Sequence, residues 1–520
     1  MFRTTLYSLC TVLLISTNLY AELQSVEVGG KLEIYGLYYH RFVDPYGTDR
    51  IPPYALRGRS IGPTGTVSIY RTGKDSTGVA LVEQRTRLHT KADFSENLTV
   101  FIEVDSIDTW GEDFRSANYL TGIDSRADSS DDLELFQSYI QMRDAFSISG
   151  LSLTLGRQAV DLGSGWLVGS DPGPNPFVGL SFDGIRIQYE KNKIIADLFW
   201  GKVAESLASF NEEDTDFYST YLTFKEIIPE LSIDIYYLLL RDDLPREFTE
   251  GDIIQEAVED LLDIDTHHTT YIHTWGTRLY GGFNNIDYEV EIALQYARSA
   301  SLGKLFVPVG YIYGEEMTTW TLPAGNFEIG YTLSEHRFTP RFYLGGCYYG
   351  AKDRRSISFA DWLFRLRPPK ASPAFNRLFT AYRHDSFIDL SGMSNFWKIN
   401  TGVTINPTEK VEIGFDLAYL QAVAPFDRPF SIRLDGIEIY PFSPFSFITE
   451  ENDKDLGWQT LLSLTYNYND NLSFSLGWSH FFIGKGLAQG IFLDNYATAF
   501  VSTTSQSDSD FFYIYSTLEF

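Results

Sequence analysis

The chain has 520 residues and a formal net charge of −28, with 44% hydrophobic and 16% aromatic residues. This hydrophobic fraction is ordinary for a folded protein and excludes an intrinsically disordered chain. The acidic balance argues against a nucleic-acid partner, because phosphate binding needs a basic surface. The length allows about three soluble domains or one large repetitive domain.

The first residues have the features of an export signal. Arg3 precedes an apolar stretch from Leu6 to Leu19, and the small residue Ala21 follows. About 14 apolar residues are too few to span a bilayer comfortably, so we predict a cleaved signal peptide at residues 1–21 rather than a membrane anchor. Cleavage would leave Cys347 without a second cysteine, so that an intrachain disulfide could not form.

After this signal, apolar and polar residues alternate in many short segments. Val290, Ile292 and Leu294 alternate with Glu289 and Glu291, for example. A period of two indicates a β-strand with one apolar and one polar face. We predict about 18 strands, in chain order at 31–39, 81–91, 98–105, 133–142, 151–157, 182–189, 194–202, 217–224, 231–240, 271–280, 286–296, 314–322, 341–349, 396–404, 411–420, 458–466, 472–481 and 511–520. The region 311–337 could hold one long strand or two.

Short turns and long loops alternate between these segments. Residues 93–97 and 190–193 are short joins, whereas 40–79, 242–269 and 352–394 are long connections. In outer-membrane barrels the short turns are periplasmic and the long loops extracellular. We therefore predict an all-β fold, in which residues 22–520 form one transmembrane antiparallel β-barrel in the outer membrane. Its abundant Tyr, Trp and Phe would form belts at the two interfaces, and its lumen would be filled with water.

Several motifs, in their order and spacing, carry a family resemblance that runs along almost the whole mature chain. They are Glu83-Gln84-Arg85-Thr86-Arg87-Leu88, Phe101-Ile102-Glu103-Val104-Asp105, Leu155-Gly156-Arg157-Gln158, Phe182-Asp183-Gly184-Ile185-Arg186, Phe375-Asn376-Arg377-Leu378-Phe379, Leu456-Gly457-Trp458, Gly477-Trp478-Ser479-His480-Phe481 and the strand ending at Phe520. With them the chain resembles the alginate-export outer-membrane porins. The resemblance implies passive export of an anionic polysaccharide such as alginate. It implies no catalytic residue, metal or cofactor.

A pore for a carboxylated polymer needs cations along its path, and Arg pairs with carboxylates at two points. Strand alternation predicts lumen-facing side chains for Arg85, Arg87, Arg186, Arg278, Arg341 and Lys398. By alternation, Arg157 lies on the same strand face as Leu153 and Leu155. We include it with the lumen cations because a bulge or the membrane interface at the strand end could still accommodate it. We hypothesise that Arg85, Arg87 and Arg186 set the anion selectivity of the pore.

The same alternation predicts carboxylates in the lumen. They are Glu83, Glu103, Asp105, Glu289, Glu291 and Asp416. The alternative interpretation is that the inward cations only neutralise these groups in structural ion pairs.

Three features of the long loops are open to two interpretations. His267 and His268 with His273 could bind a metal, the acidic segment 124–132 could bind Ca²⁺ loosely, and 253–264 has the apolar spacing of a short helix that could act as a gate. Solvated loops are the simpler interpretation of the first two.

Two functional alternatives to polysaccharide export stay open. One is a solute-specific or general uptake porin on the same scaffold, and the remoter one is a secreted carbohydrate-active enzyme. The expected partners are outer-membrane lipid, the polysaccharide and possible periplasmic export proteins, and the expected oligomeric state is a monomer.

Overall fold

A computed structural model describes residues 23–40, 43–45, 70–72, 79–110, 133–170, 181–205, 214–243, 269–303, 315–352, 373–382, 394–425, 427–429, 432–434, 437–439, 449–451, 453–488 and 508–520. The predicted signal peptide at 1–21, the acidic segment 124–132, the apolar segment 253–264, and His267 and His268 lie outside these residues.

Eighteen antiparallel strands form one closed barrel. They are β1 (Ser25–His40), β2 (Val79–Ser95), β3 (Leu98–Thr109), β4 (Glu134–Met142), β5 (Leu151–Ala159), β6 (Ser181–Lys191), β7 (Ile194–Glu205), β8 (Asp214–Ile228), β9 (Leu231–Asp242), β10 (Thr270–Phe283), β11 (Ile286–Gly303), β12 (Glu315–Thr332), β13 (Arg341–Tyr349), β14 (Phe396–Thr408), β15 (Val411–Ala422), β16 (Asp455–Asn467), β17 (Leu472–Ile483) and β18 (Ser509–Glu519). Each strand pairs with its sequence neighbours, and β1 pairs with β18 to close the ring. The predicted strand number is confirmed, and the described part of the uncertain region, residues 315–337, holds a single long strand, β12.

Short turns lie at one end of the barrel, which we call the turn side, and long connections lie at the other, the loop side. The prediction places the turn side in the periplasm and the loop side outside the cell. Among the described loop residues are three short strand pairs, Val43–Pro45 with Tyr70–Thr72, Asp427–Pro429 with Thr449–Glu451, and Ile432–Leu434 with Ile437–Ile439. The described helices are a 3-10 turn at Ala145–Ser147 and a helix at Lys485–Ala488. No helix within the described ranges is long and apolar enough to cross a bilayer.

Side chains alternate between the two faces of the wall, as the period of two predicts. On β11, Ile292 and Leu294 are 55% and 47% exposed on the outside, whereas Glu291 and Gln295 are buried inside. Exposed aromatic residues follow the same outer face near both ends. On the loop side they include Tyr38, Trp275, Tyr348, Trp458, Phe482 and Phe512, and on the turn side Phe283, Tyr331, Phe342, Tyr466 and Phe474.

Candidate translocation pathway

The strand β2 places Arg85 and Arg87 on the inner face, as predicted. Arg85 donates from Nε and Nη2 to both oxygens of Asp105 on β3, at 2.6–3.0 Å. Arg87 contacts Glu33 on β1 at 3.4 Å. Both guanidinium groups lie over the ring of Phe136, and both are buried. These two cations are therefore neutralised within the wall and present little surface to a passing solute.

Two of the predicted carboxylates lie on this same wall. Glu103 faces inward and accepts a hydrogen bond of 2.6 Å from the side-chain amide of Gln137. Glu83 lies on β2 two residues before Arg85, on the same face. Glu33 was not predicted as a site residue, yet it pairs with Lys31 at 2.9 Å as well as with Arg87. The wall formed by β1–β4 is thus a network of cations and carboxylates.

Arg186 on β6 also faces inward. It binds both oxygens of Asp197 on β7, at 2.6–3.1 Å, and Gln188 donates to the same carboxylate at 2.9 Å. The side chain of Arg186 keeps 18% of its surface exposed. It can therefore reach the lumen more easily than Arg85 can.

Arg278 on β10 lies within a group of three carboxylates. It contacts Asp234 at 3.2 Å, Glu289 at 2.6 Å and Glu291 at 4.0 Å, and it stacks over the ring of Tyr280. Because the carboxylates outnumber the cation, this part of the wall carries an excess of negative charge.

Two tyrosines extend the Arg278 group. Tyr221 donates to Asp234 at 2.8 Å and Tyr236 donates to Glu291 at 2.7 Å. Their rings are stacked 5.3 Å apart and nearly parallel. The Tyr236 hydroxyl binds Oε1 of Glu291, whereas Arg278 approaches Oε2, and the Tyr221 hydroxyl shares Oδ2 of Asp234 with Arg278.

Arg341 faces inward near the turn side and Lys398 faces inward near the loop side, and both inward directions are as predicted. Arg341 binds Asp287 and Glu328, the latter at 2.7 Å, and 27% of its side chain is exposed. Lys398 on β14 is partly buried. Asp416 accepts hydrogen bonds from Tyr343 at 2.9 Å and Asn400 at 2.7 Å. Arg341 is the predicted arginine on the inner face with the most exposed side chain.

The prediction for Arg157 is corrected by the structure. Its neighbours on the same face, Leu155 and Ile185, are exposed on the outside of the barrel, and the inward positions of this strand are those of Thr154 and Gln158. Arg157 binds Asp183 at 2.8 Å on that outer face. The strict alternation of the strand therefore decides its direction, and no bulge reverses it.

Two described loop segments fold back into the barrel, and sequence reasoning did not predict them. We call residues 160–170, which follow β5, the first inner segment and residues 373–382, which lie between β13 and β14, the second inner segment. A short parallel bridge joins them at Val168 and Phe379, with backbone hydrogen bonds of 2.9 Å from Gly169 to Phe379 and from Phe379 to Leu167. An added Cβ at Gly169 would lie 2.5 Å from that of Ala381, so this approach requires glycine.

The inner segments are fixed to the wall by buried polar contacts. Trp166 donates from Nε1 to the hydroxyl of Tyr349 on β13 at 2.6 Å. Asn376 exchanges two hydrogen bonds with the side chain of Gln295 on β11, at 2.8 and 2.9 Å. Ser164 donates to Glu291 at 3.3 Å. The first inner segment thus touches the Arg278 group directly.

The inner segments also carry apolar and cationic side chains. Trp166, Phe375 and Phe379 pack with Phe182 and Phe217 of the wall in one buried cluster. The sequence predicted a water-filled lumen rather than a packed core, and on the side of β6–β14 the structure instead places a packed apolar cluster inside the barrel. The fully buried Arg377 lies over the ring of Tyr349 and donates to the carbonyl of Tyr382 at 2.5 Å.

The pKa of Tyr382 is raised to about 12 by burial, so its hydroxyl stays protonated at neutral pH.

The only sequence signal for the contacts of the inner segments was the concentration of Gly, Trp and Phe in two otherwise polar loops. Such composition does not say where a loop folds.

Comparisons with known proteins agree with this architecture. Residues 69–491 match the family described as Alginate export. No curated protein matches the chain. Among solved structures, Acinetobacter baumannii OccAB1 is similar at 10% identity, with a TM-score of 0.50 and coverage of 97% of this chain and 99% of that one. Pseudomonas aeruginosa OccK8 (OprE) is similar at 9% identity, with a TM-score of 0.48 and coverage of 95% and 98%.

At such identities the solved structures speak for the fold alone, whereas the family match covers most of the sequence. The chain belongs to the alginate-export family and forms a β-barrel channel in the bacterial outer membrane.

Proposed function

We propose that this channel exports an anionic polysaccharide such as alginate by passive diffusion. The observation that carries the proposal is the family match over residues 69–491, which spans most of the barrel. Partly exposed cations on the inner face, above all Arg341 and Arg186, would give a carboxylated polymer weak and reversible contacts along its path. Conduction requires binding that is favourable enough for entry and weak enough for exit.

The pairing of these cations is compatible with that role. Each guanidinium already binds carboxylates, so a polymer carboxylate would have to exchange with a wall carboxylate rather than meet a bare charge. Such exchange keeps every contact weak. The proposal includes a single chain as the functional unit and periplasmic proteins that deliver the polymer to the turn side.

A second candidate is the uptake of a smaller solute, and two observations favour it. The inner segments narrow the lumen along β6–β14. Around Arg278 the carboxylates outnumber the cations, which disfavours a long polyanion on that side. A secreted carbohydrate-active enzyme is disfavoured, because both the family and the fold are those of channels.

Single-channel conductance with added uronate oligomers separates the two candidates. Export of a polyuronate predicts that the oligomers interrupt the current in a concentration-dependent way, and more often when they are added on the turn side. Neutral oligosaccharides of equal length are the matched control. Indifference to uronates up to millimolar concentrations, with interruption by small solutes instead, would support the uptake channel.

The ion selectivity tests which cations contribute. Reversal potentials of Arg85→Glu with Arg87→Glu address the predicted anion selectivity, and Arg341→Glu provides a comparison at a more exposed site. The hypothesis for Arg85 and Arg87 requires a shift towards cations in the double variant. An unchanged reversal potential would show that these two arginines only form structural ion pairs within the barrel wall.

A further inference from the structure

A row of charged side chains crosses the outside of the barrel near the loop side. Cross-strand pairing places Arg157 beside Asp183, Asp183 beside Lys202, and Lys202 beside Asp216. The same register continues through Arg241, Tyr271 and Arg298. We call these seven residues, on strands β5–β11, the outer charged row. The translocation pathway does not use it, because it faces away from the lumen.

The outer charged row lies directly next to the lipid-facing belt. On each of these strands, the outward position that lies two residues closer to the turn side is apolar. These positions hold Leu155, Ile185 and Trp200, and all three side chains are exposed. Charged side chains are costly within the hydrocarbon of a bilayer and tolerated near its surface. The change from apolar to charged residues on β5–β7 therefore indicates where hydrocarbon meets lipid headgroups on these strands.

The charges of the row are partly accessible. The side chains of Arg157 and Asp183 are 41% and 57% exposed although they pair with each other. Arg241 bridges Asp216 at 3.3 Å and Asp243 at 2.8 Å. Arg298 is exposed, and it forms no ion pair with any residue that the structure describes.

The other side of the barrel differs. Strands β16–β18 contain no Arg or Lys, and their outward positions near the loop side hold the aromatic residues Trp458, Phe482 and Phe512 together with His480 and Asp510, which lie 2.8 Å apart. A uniform bilayer would not require such an asymmetry. The outer charged row therefore fits a partner that carries charged groups at the level of the lipid headgroups and apolar chains below them.

We propose that the outer charged row binds a phosphorylated glycolipid of the outer leaflet. Arginine forks pair with phosphate groups at two points, and Arg157, Arg241 and Arg298 supply them. The aspartates between them offer oxygen ligands to divalent cations that bridge neighbouring phosphates. The exposed apolar residues below the row pack against the acyl chains.

Native mass spectrometry of the detergent-purified barrel tests this proposal. The probes are diphosphorylated lipid A, its dephosphorylated form and inorganic phosphate, each with Mg²⁺. We expect the diphosphorylated lipid to bind most tightly. Arg298→Gln should weaken it about fivefold, and Arg157→Gln with Arg241→Gln more strongly, because a headgroup contact of one cation contributes about that factor. Arg298 has no described ion-pair partner, so its variant should fold normally.

The matched control is Lys225→Gln, which removes a partly exposed cation from the turn side, where it pairs with Glu190 at 2.9 Å. This variant should bind lipid A as the unaltered protein does. Equal affinity of Arg298→Gln and the unaltered protein would overturn the proposal. The proposal would also be overturned if Lys225→Gln lost as much affinity for lipid A as Arg298→Gln does. Binding of inorganic phosphate as tight as that of lipid A would overturn it as well.

Discussion

Arg85 is almost completely buried in the wall, and Asp105 is the carboxylate that compensates its charge. Replacing Arg85 with Ala would leave that aspartate buried without its cation. We expect Arg85→Ala to lower the free energy of unfolding by about 3–5 kcal/mol, the usual cost of breaking a buried ion pair from one side. Urea titration of the barrel in lipid vesicles measures the change.

The matched control for Arg85 is Lys193→Ala, since Lys193 pairs with Glu226 at 3.2 Å while both side chains are mostly exposed. An exposed pair of this kind contributes at most about 1 kcal/mol. The double variant Arg85→Leu with Asp105→Leu removes both charges and should recover part of the loss. If the single and double variants were equally unstable, the ion pair would not be the cause.

At the scale of the strand, alternation alone predicted most of the wall. On β2 and β11 the inward Arg85, Arg87, Glu289 and Glu291 follow from the period of two, because a lipid-facing charge is costly. Arg157 follows the same alternation rule, but with its side chain on the outer face. Its parity with Leu155 indicated an outward side chain, and the structure follows the parity.

The loops were less predictable than the strands for a physical reason. The inner segments have no period, and their positions depend on contacts across the barrel, such as Asn376 with Gln295 and Trp166 with Tyr349. These partners are far apart in sequence and belong to different strands. The ion-pair partners were missed for the same reason, since single-sequence alternation gives the face of Arg278 but not the register that brings Asp234 to it.

The first inner segment depends on Trp166, whose side chain is fully buried between the segment and the wall. Trp166→Ala removes its packing against Phe375 and its hydrogen bond to Tyr349. We expect a loss of about 3–5 kcal/mol in unfolding free energy, typical of a buried Trp→Ala change. We also expect a higher single-channel conductance, because the segment would no longer be held against the wall.

Tyr349→Phe separates packing from hydrogen bonding at this contact. It removes only the hydroxyl that accepts from Trp166, so we expect a loss of about 1 kcal/mol and little change in conductance. Unchanged conductance in Trp166→Ala, despite a normal loss of stability, would show that the first inner segment does not limit the current.

For the whole molecule, closure of the ring is the condition for stability in a membrane. β18 pairs with β17 along one edge and with β1 along the other. At the very end, the backbones of Gly30 and Phe520 exchange hydrogen bonds of 2.8 and 3.0 Å. In lipid no water is present to satisfy an open strand edge, so a barrel without β18 would expose unpaired backbone groups on two edges.

Deleting residues 509–520 should therefore abolish the folded barrel rather than shorten it. The measurement is heat-modifiable migration on a detergent gel, together with resistance to protease in vesicles; the truncated chain should run as unfolded protein with and without heating. Phe520→Ala is the matched control, because Phe520 is 62% exposed and its backbone bonds to Gly30 do not depend on its side chain. It should fold in detergent. A truncated chain that still migrated as a compact species and conducted ions would show that β1 and β17 can pair directly, and that closure does not depend on the eighteenth strand.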